Sequence, residues 1–258
     1  MTYRAVETLK NVDWIAAEDT RVSARLMEHF DIKTAMFACH DHNEAKVAEQ
    51  MLSRLQAGES GALISDAGTP LINDPGYRLV RKIREAGLDV VPIPGACSPI
   101  AALCASGLPT DQFMYMGFLP RTGRSRLQQL QSIADASITC VFLESPKRIV
   151  KTLESLLDMV GEKEICIGRE LTKMHEQFLF GTVSELLDYF ETHHPRGEMV
   201  VMVGVSQAVI EVSDTMIVNV AKSSEYIDLS PSARARAVAQ RLHVKRSYVY
   251  DVLMREVL

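Results

Sequence analysis

The sequence has no apolar run of about 18 residues or more, so we expect no membrane-spanning helix. Its first seven residues lack the apolar centre of a signal peptide, which predicts a cytoplasmic protein. Cysteines are few and dispersed, with no CxxC spacing, and they indicate reduced core thiols rather than a disulfide framework or a zinc site. The five are Cys39, Cys97, Cys104, Cys140 and Cys166.

Metal ligands are also sparse. His40 and His42 flank one residue just before a predicted helix, but no third ligand is in view, so we expect no metal site there. A loop that makes a polar contact to substrate is the stronger interpretation of this segment. What the chain does have is 47% hydrophobic and 24% charged residues, the balance of a globular protein with substantial cores.

Charge is distributed unevenly along the chain. The net charge is −5, yet residues 230–258 carry six basic and two acidic side chains, or +4, which leaves −9 for the rest. This basic segment is predicted to form two helices joined by a tight turn, an arrangement that suits either RNA contact or plain packing. The candidate RNA-binding residues of this tail are Arg234, Arg236, Arg241, Lys245 and Arg246.

Two glycine-proline loops follow predicted strands. Residues 62–64 lead into residues 65–70 (SDAGTP), and residues 90–93 lead into residues 94–98 (PGACS). A helix with an apolar stripe at Leu79, Val80 and Ile83 lies between them, so the pattern predicts a βαβ unit in a parallel sheet. Ligands of open α/β sheets collect outside the carboxyl ends of the strands, and the two loops are predicted to form the floor of a small-molecule site.

The remaining pattern predicts two α/β domains with a small C-terminal helical unit, divided as residues 1–111, 112–222 and 223–258. The first domain opens on a helix, as though its first strand lay before residue 1. The second is expected to have a mixed sheet. Its predicted strands are residues 113–119, 138–143, 164–167 and 199–204, with residues 209–220 as a further edge strand. Its predicted helices are residues 146–159 and 183–190.

Polar clusters follow several of the predicted strands, among them a short buried strand predicted at residues 12–17. They occupy residues 18–21 (EDTR), 144–148 (ESPKR) and 169–176 (RELTKMHE). Each cluster has an alternative interpretation as a helix cap with surface ion pairs. Residues 120–126 form a predicted basic loop, which is either a solvated turn or a phosphate contact made by Arg121, Arg124 and Arg126.

These segments together resemble one family. Residues 16–21, 63–76, 94–98, 118–120, 144–148 and 169–176, in this order and spacing, are similar to the 16S ribosomal RNA (cytidine-2′-O)-methyltransferases of the tetrapyrrole methylase superfamily, over essentially the whole chain. The resemblance implies a homodimer that binds S-adenosylmethionine between two α/β domains and methylates a ribose 2′-hydroxyl of the small ribosomal subunit. Family members open with a strand and a loop just before the segment that matches residues 2–5, and both are absent here.

The resemblance also implies roles for individual residues. The cofactor candidates are Asp66, Gly68, Thr69, Cys97, Ser98 and Leu143. A ribose hydroxyl is a poor nucleophile at neutral pH, so a base or a polarising cation is expected beside it. The candidates for the catalytic group are Glu18, Asp19, Arg21, Glu144, Arg148, Glu170, Lys173 and Glu176.

Two other functions stay open from the sequence. A precorrin or uroporphyrinogen methyltransferase has the same fold but no need for a basic tail. A non-catalytic RNA-binding protein is the alternative if the missing first loop is natural.

Overall fold

The computed structural model describes residues 1–40, 43–205, 213–223, 226, 229–242 and 244–256. It begins with a three-stranded parallel sheet in the order β2-β1-β3. The strands are β1 (Trp14–Ala17), β2 (Met36–Ala38) and β3 (Gly61–Ile64). The helices of this part are α1 (Tyr3–Asn11), α2 (Thr20–His29), α3 (Glu44–Gln56), α4 (Tyr77–Glu85) and α5 (Ser98–Ala105).

Strand β1 pairs with β2 on one side and β3 on the other, and all four of its residues are buried. Successive side chains of a strand point to opposite faces. Accordingly, Trp14 and Ala16 pack with α3 and α4 on one face, whereas Ile15 packs with Leu9 and Met27 of α1 and α2 on the other. The helices predicted from apolar periodicity in this region are confirmed.

The predicted strand at residues 90–93 is wrong. They pair with no strand in the described part of the chain, and Pro92 has no N–H to donate to a ladder. Strand β3 is therefore an edge strand of the described sheet. An apolar cavity of about 820 Å³ runs along it, lined by Trp14, Leu63 and residues 88–93.

The second sheet has five strands in the order β4-β5-β8-β6-β7 and is mixed, as predicted. Strands β4, β5 and β6 run in the same direction, while β7 and β8 are antiparallel to them. Their ranges are β4 (Phe113–Phe118), β5 (Thr139–Glu144), β6 (Glu164–Arg169), β7 (Gln177–Thr182) and β8 (Met199–Val203). The carboxyl ends of β4, β5 and β6 consequently share one edge of the sheet.

Helices α6 (Gly123–Asp135), α7 (Ile149–Val160) and α8 (Val183–Thr192) complete this part. They cover one face of the sheet, where Phe142, Val201 and Leu153 belong to the main core. The opposite face, which includes Val200 and Met202, packs against Ala102 and Leu103 of α5. Helix α5 therefore carries the loop that precedes it onto the second sheet.

Residues 206–258 form a separate compact unit, and residues 1–205, with both sheets, form the other. Helix α9 (Asp214–Ala221) occupies most of the predicted edge strand, which is wrong for those residues; residues 209–212 lie outside the described part. Helices α10 (Pro231–Leu242) and α11 (Arg246–Glu256) match the predicted pair. They enclose a small core with Val238, Val249 and Val252. No helix in the described ranges is long and apolar enough to cross a membrane.

Candidate active site

The ends of β1 and β3 are joined by reciprocal hydrogen bonds. The Asp19 N–H donates to the Asp66 carboxylate at 3.1 Å, and the Asp66 N–H donates to the Glu18 carboxylate at 3.3 Å. Three carboxylates thus lie together at the carboxyl edge of the first sheet, as expected for neighbouring parallel strands. Asp66 is exposed to solvent at this edge.

Asp19 caps helix α2, as the alternative interpretation of this cluster required. Its carboxylate accepts the Arg21 N–H at 2.8 Å and two guanidinium bonds at 3.1 and 2.7 Å. The side-chain and backbone hydrogen bonds from Arg21 lower the pKa of Asp19 to about 2. A carboxylate with so low a pKa is a weak general base at neutral pH.

The two glycine-proline loops are in contact. The Thr69 hydroxyl donates to the Ala96 carbonyl at 2.8 Å, and Gly68, with φ of +76°, faces the same carbonyl oxygen. Gly68 and Ser98 are exposed, while Thr69 and Cys97 are half-buried. The two loops thus lie against each other, although residues 90–93 form no strand.

Asn73 and Tyr115, which are not among the predicted site residues, connect the loop after β3 to the second sheet. The Tyr115 hydroxyl of β4 donates to the Asn73 side-chain carbonyl, and Asn73 adopts a positive φ of +66°. Burial, followed by the nearby Cys97 and Asp74, raises the pKa of Tyr115. Asn73 lies inside the glycine-rich motif, and its tolerance of left-handed backbone was the available signal.

Leu143 and Tyr115 pack beside the core formed by α5 and the second sheet. Since α5 begins at Ser98, this packing brings the 94–98 loop, β4 and β5 to one region. The cofactor candidates that the structure gathers here are Thr69, Cys97 and Ser98, with Tyr115 and Leu143 on the facing sheet.

Glu144 ends β5 and has a side chain that is 0% exposed. Its carboxylate accepts the Ser145 N–H at 2.7 Å, the Thr152 hydroxyl at 2.8 Å and the Arg148 guanidinium at 2.6 Å. Arg148 also donates to the Leu119 carbonyl at 2.9 Å. A carboxylate enclosed in this way does not fit the predicted direct contact with a substrate hydroxyl, because substrate cannot reach it.

The predicted basic loop is shorter than expected, because helix α6 begins at Gly123. Its three arginines have different surroundings. Arg121 and Arg124 are exposed, whereas Arg126 is 8% exposed and donates to Thr152 at 2.9 Å and to the Pro120 carbonyl at 3.2 Å. Arg126 therefore binds protein groups and does not fit the predicted phosphate contact.

The segment after β6 forms a tight loop in which Glu170 and Thr172 both have positive φ, at +51° and +65°. The Glu170 carboxylate accepts Lys173 Nζ at 3.0 Å and the Glu198 N–H at 3.1 Å. These bonds lower the pKa of Glu170, and the Glu170 carboxylate raises the pKa of Lys173. Glu176 accepts the Thr172 N–H at 2.5 Å.

The candidate RNA-binding residues of the C-terminal unit are mostly on its surface. Arg236, Arg241, Lys245 and Arg246 are exposed, and Arg234 is half-buried and donates to the Leu229 carbonyl at 3.1 Å. Arg246 donates to the Ser232 hydroxyl at 2.7 Å.

The described residues fit an S-adenosylmethionine molecule, whose sulfonium and ammonium groups are cationic. The exposed Asp66 and its neighbour Glu18 supply negative charge at the first sheet's edge, and the half-buried Leu143 offers apolar contact. Within the described ranges, no group of three His, Cys, Asp or Glu side chains is arranged to hold a metal ion. Asp41 and His42, part of the His-x-His segment, lie outside those ranges.

Two sheets covered by helices, with loops gathered at the carboxyl ends of their parallel strands, define an α/β protein of the class that binds small molecules at this edge. The model of the family Tetrapyrrole (Corrin/Porphyrin) Methylases matches residues 1–187. The chain belongs to this family.

Relatives of similar length support the assignment. A protein named Ribosomal RNA small subunit methyltransferase I from Escherichia coli O157:H7 is 43% identical over 262 residues, covering 99% of this chain and 90% of the relative. One of the same name from Vibrio cholerae is 48% identical over 206 residues, covering 79% and 72%.

Solved structures show the same fold at low identity. A cobalt precorrin-4 methyltransferase has a TM-score of 0.59 and 18% identity, covering 79% of this chain and 88% of its own. A uroporphyrin-III C-methyltransferase from Thermus thermophilus, complexed with S-adenosyl homocysteine, has a TM-score of 0.53 and 19% identity, covering 83% and 93%.

Proposed function

We propose that the protein transfers a methyl group from S-adenosylmethionine to the ribose 2′-hydroxyl of a cytidine in 16S ribosomal RNA. The relative that aligns with 99% of this chain carries the name of a small-subunit ribosomal RNA methyltransferase, and this observation carries the proposal. The ordered set of motifs at strand ends supports it. We further infer a cytoplasmic homodimer that acts on the small ribosomal subunit.

Bound S-adenosylmethionine supplies an electrophilic methyl carbon, and transfer is an in-line displacement governed by placement of the nucleophile. We propose that the 65–70 and 94–98 loops and Leu143 hold the cofactor. Asp66 and Glu18 lie where they would balance its positive charge. Tyr115 and Asn73 keep the loop that carries Asp66 against β4.

The catalytic group at the ribose hydroxyl is assigned to the loop after β6. Lys173 is half exposed, and its pKa is raised by Glu170, so it is protonated at neutral pH. A cation beside the ribose oxygen would stabilise the developing alkoxide, and the hydroxyl proton would pass to solvent water as the methyl carbon bonds to that oxygen. Glu170 and Glu176 shape this loop by accepting bonds from Lys173 and from the Thr172 N–H. Arg121 and Arg124, with the basic C-terminal unit, are proposed to hold flanking phosphates.

The test is methyl transfer to small ribosomal subunits that lack the modification, with uroporphyrinogen and precorrin as competing acceptors. The product is located by resistance of the adjoining phosphodiester to alkaline cleavage, since a 2′-O-methyl group blocks attack by that oxygen. Transfer to tetrapyrroles alone would refute the RNA assignment. Calorimetric titration with S-adenosylmethionine separates both from a non-catalytic RNA-binding protein, for which no cofactor binding is expected.

A further inference from the structure

We propose that Glu144 is a positioning residue that holds residues 119–126 so that Arg121 and Arg124 face the RNA. The proposal rests on the proposed RNA methylation and assigns a role to a buried network that methyl transfer itself does not use. Glu144 is enclosed by protein groups on every oxygen that the structure describes.

Two arms run from this carboxylate to the same stretch of backbone. In the first, Arg148 pairs with Glu144 and donates to the Leu119 carbonyl. In the second, the Thr152 hydroxyl donates to Glu144 and accepts from Arg126, which donates onward to the Pro120 carbonyl. The carbonyls of residues 119 and 120 thus each accept a hydrogen bond from an arginine. Arg148 is bonded to the Glu144 carboxylate directly, and Arg126 is connected to it through Thr152.

The fixed carbonyls immediately precede the exposed arginines. Arg121 follows Pro120 directly, and Arg124 lies in the first turn of α6, two residues before the buried Arg126. The side chains of Arg121 and Arg124 make no hydrogen bond or ion pair to any residue in the described part of the chain. The two exposed guanidinium groups therefore extend from a backbone segment that buried hydrogen bonds hold in place. Such an arrangement suits phosphate binding, because the segment loses little further conformational entropy when it binds.

Thr152 gives the sharpest test, since it lies inside α7, is 0% exposed and is not among the residues proposed to contact substrate or cofactor. Thr152→Val preserves the shape but removes the hydroxyl that joins Arg126 to Glu144, whereas Thr152→Ser keeps the hydroxyl and is the matched control. Both variants are assayed as full-length protein on small ribosomal subunits, with KM, kcat, and the dependence of KM on salt from about 50 to about 200 mM.

We expect Thr152→Val to raise KM for the subunits on the order of tenfold, because the contacts of Arg121 and Arg124 with phosphate are both weakened. The kcat and the Kd of the cofactor should stay unchanged. The slope of log KM against log salt should fall by about 0.7 for each phosphate that the arginines no longer bind. Thr152→Ser should have the same KM and the same salt slope as the unmodified protein. In a chain with Arg121→Ala and Arg124→Ala, Thr152→Val should add nothing further to KM.

A purely structural role predicts a lower melting temperature and a smaller active fraction with KM and salt slope unchanged, and that result overturns the proposal. A fall in kcat at unchanged KM overturns it as well. If Thr152→Val does not fold, Arg148→Lys replaces it. Lysine can pair with Glu144 but has no second nitrogen to donate to the Leu119 carbonyl. Absence of methylation by the unmodified protein would instead refute the proposed function.

Discussion

The two sheets each place an arginine–carboxylate pair at the end of a strand, yet the pairs differ in depth. After β1, Arg21 is 88% and Asp19 29% exposed, and their bonds join neighbours in the chain. After β5, Arg148 is 24% and Glu144 0% exposed, and Arg148 also donates to the Leu119 carbonyl, 29 residues away in the chain. Similar local sequences therefore form a helix cap after β1 and, after β5, a pair that bonds to a distant segment of the chain.

The difference in burial predicts that removing Glu144 destabilises the protein far more than removing Asp19. Glu144→Ala leaves the Arg148 charge without its partner in a mostly buried site, and we expect a loss of about 3–5 kcal/mol in the free energy of unfolding. Asp19→Ala, at the exposed pair, should have a much smaller effect because solvent screens that interaction. Urea unfolding of both variants measures the contrast, and equal losses would contradict it.

The loop after β6 also carries a charged pair, and its cation, Lys173, is 49% exposed, between the values for Arg148 and Arg21. We expect Lys173→Met to lower kcat on the order of 100-fold, since the developing negative charge on the ribose oxygen loses its stabilising cation. KM for the cofactor should change little. Lys151→Met is the control, because this exposed lysine lies on α7 outside the site. Unchanged methylation by the Lys173 variant would remove it from the catalytic proposal, and the same assay on Glu170→Gln tests its neighbour.

The contact between the first sheet's loop and the second sheet can be broken at Gly117. This residue has φ of +63°, and a Cβ there would lie 2.7 Å from Asn73 Nδ2. Gly117→Ala should destabilise the protein by about 1–3 kcal/mol and weaken cofactor binding. Gly123→Ala is the matched control, since Gly123 also has a positive φ, of +83°, but its Cβ would meet nothing within 4 Å. Cofactor affinity that falls equally in both variants would show that backbone strain, rather than the Asn73 contact, is responsible.

Much of the fold follows from local pattern. Strands β1, β5 and β8 were predictable because they are continuous apolar runs, buried along nearly their whole length. Strand β7 was missed because it follows a polar cluster and carries exposed Phe178 and Phe180. The 90–93 strand was predicted from apolar content, although its proline already limited its ability to pair.

The meeting of the two glycine-proline loops was predictable from the sequence, but the burial of the candidate charged residues was not. Strand ends indicated which segments would lie at the carboxyl edges, and the structure brings the 65–70 and 94–98 loops together there. The pattern contains no information on which charges are enclosed, so Glu144 and Arg126 were predicted among the contacting groups. The Asn73–Tyr115 bond joins residues 42 positions apart, and such pairing depends on how α5 packs on the second sheet.

The smallest expected effect concerns the exposed pair and its pH dependence. Asp19 has a pKa lowered from 3.8 to about 2, so its charged form is favoured in the folded protein. Its contribution to stability should be complete above the unfolded pKa and should be lost as the pH falls from about 4 toward 2. The difference in unfolding free energy between the unmodified protein and Asp19→Asn should therefore be constant near neutral pH and shrink in this acidic range. Added salt should reduce it, because Arg21 is largely in solvent. A difference that grows on acidification would mean that the Asp19–Arg21 pair does not stabilise the fold.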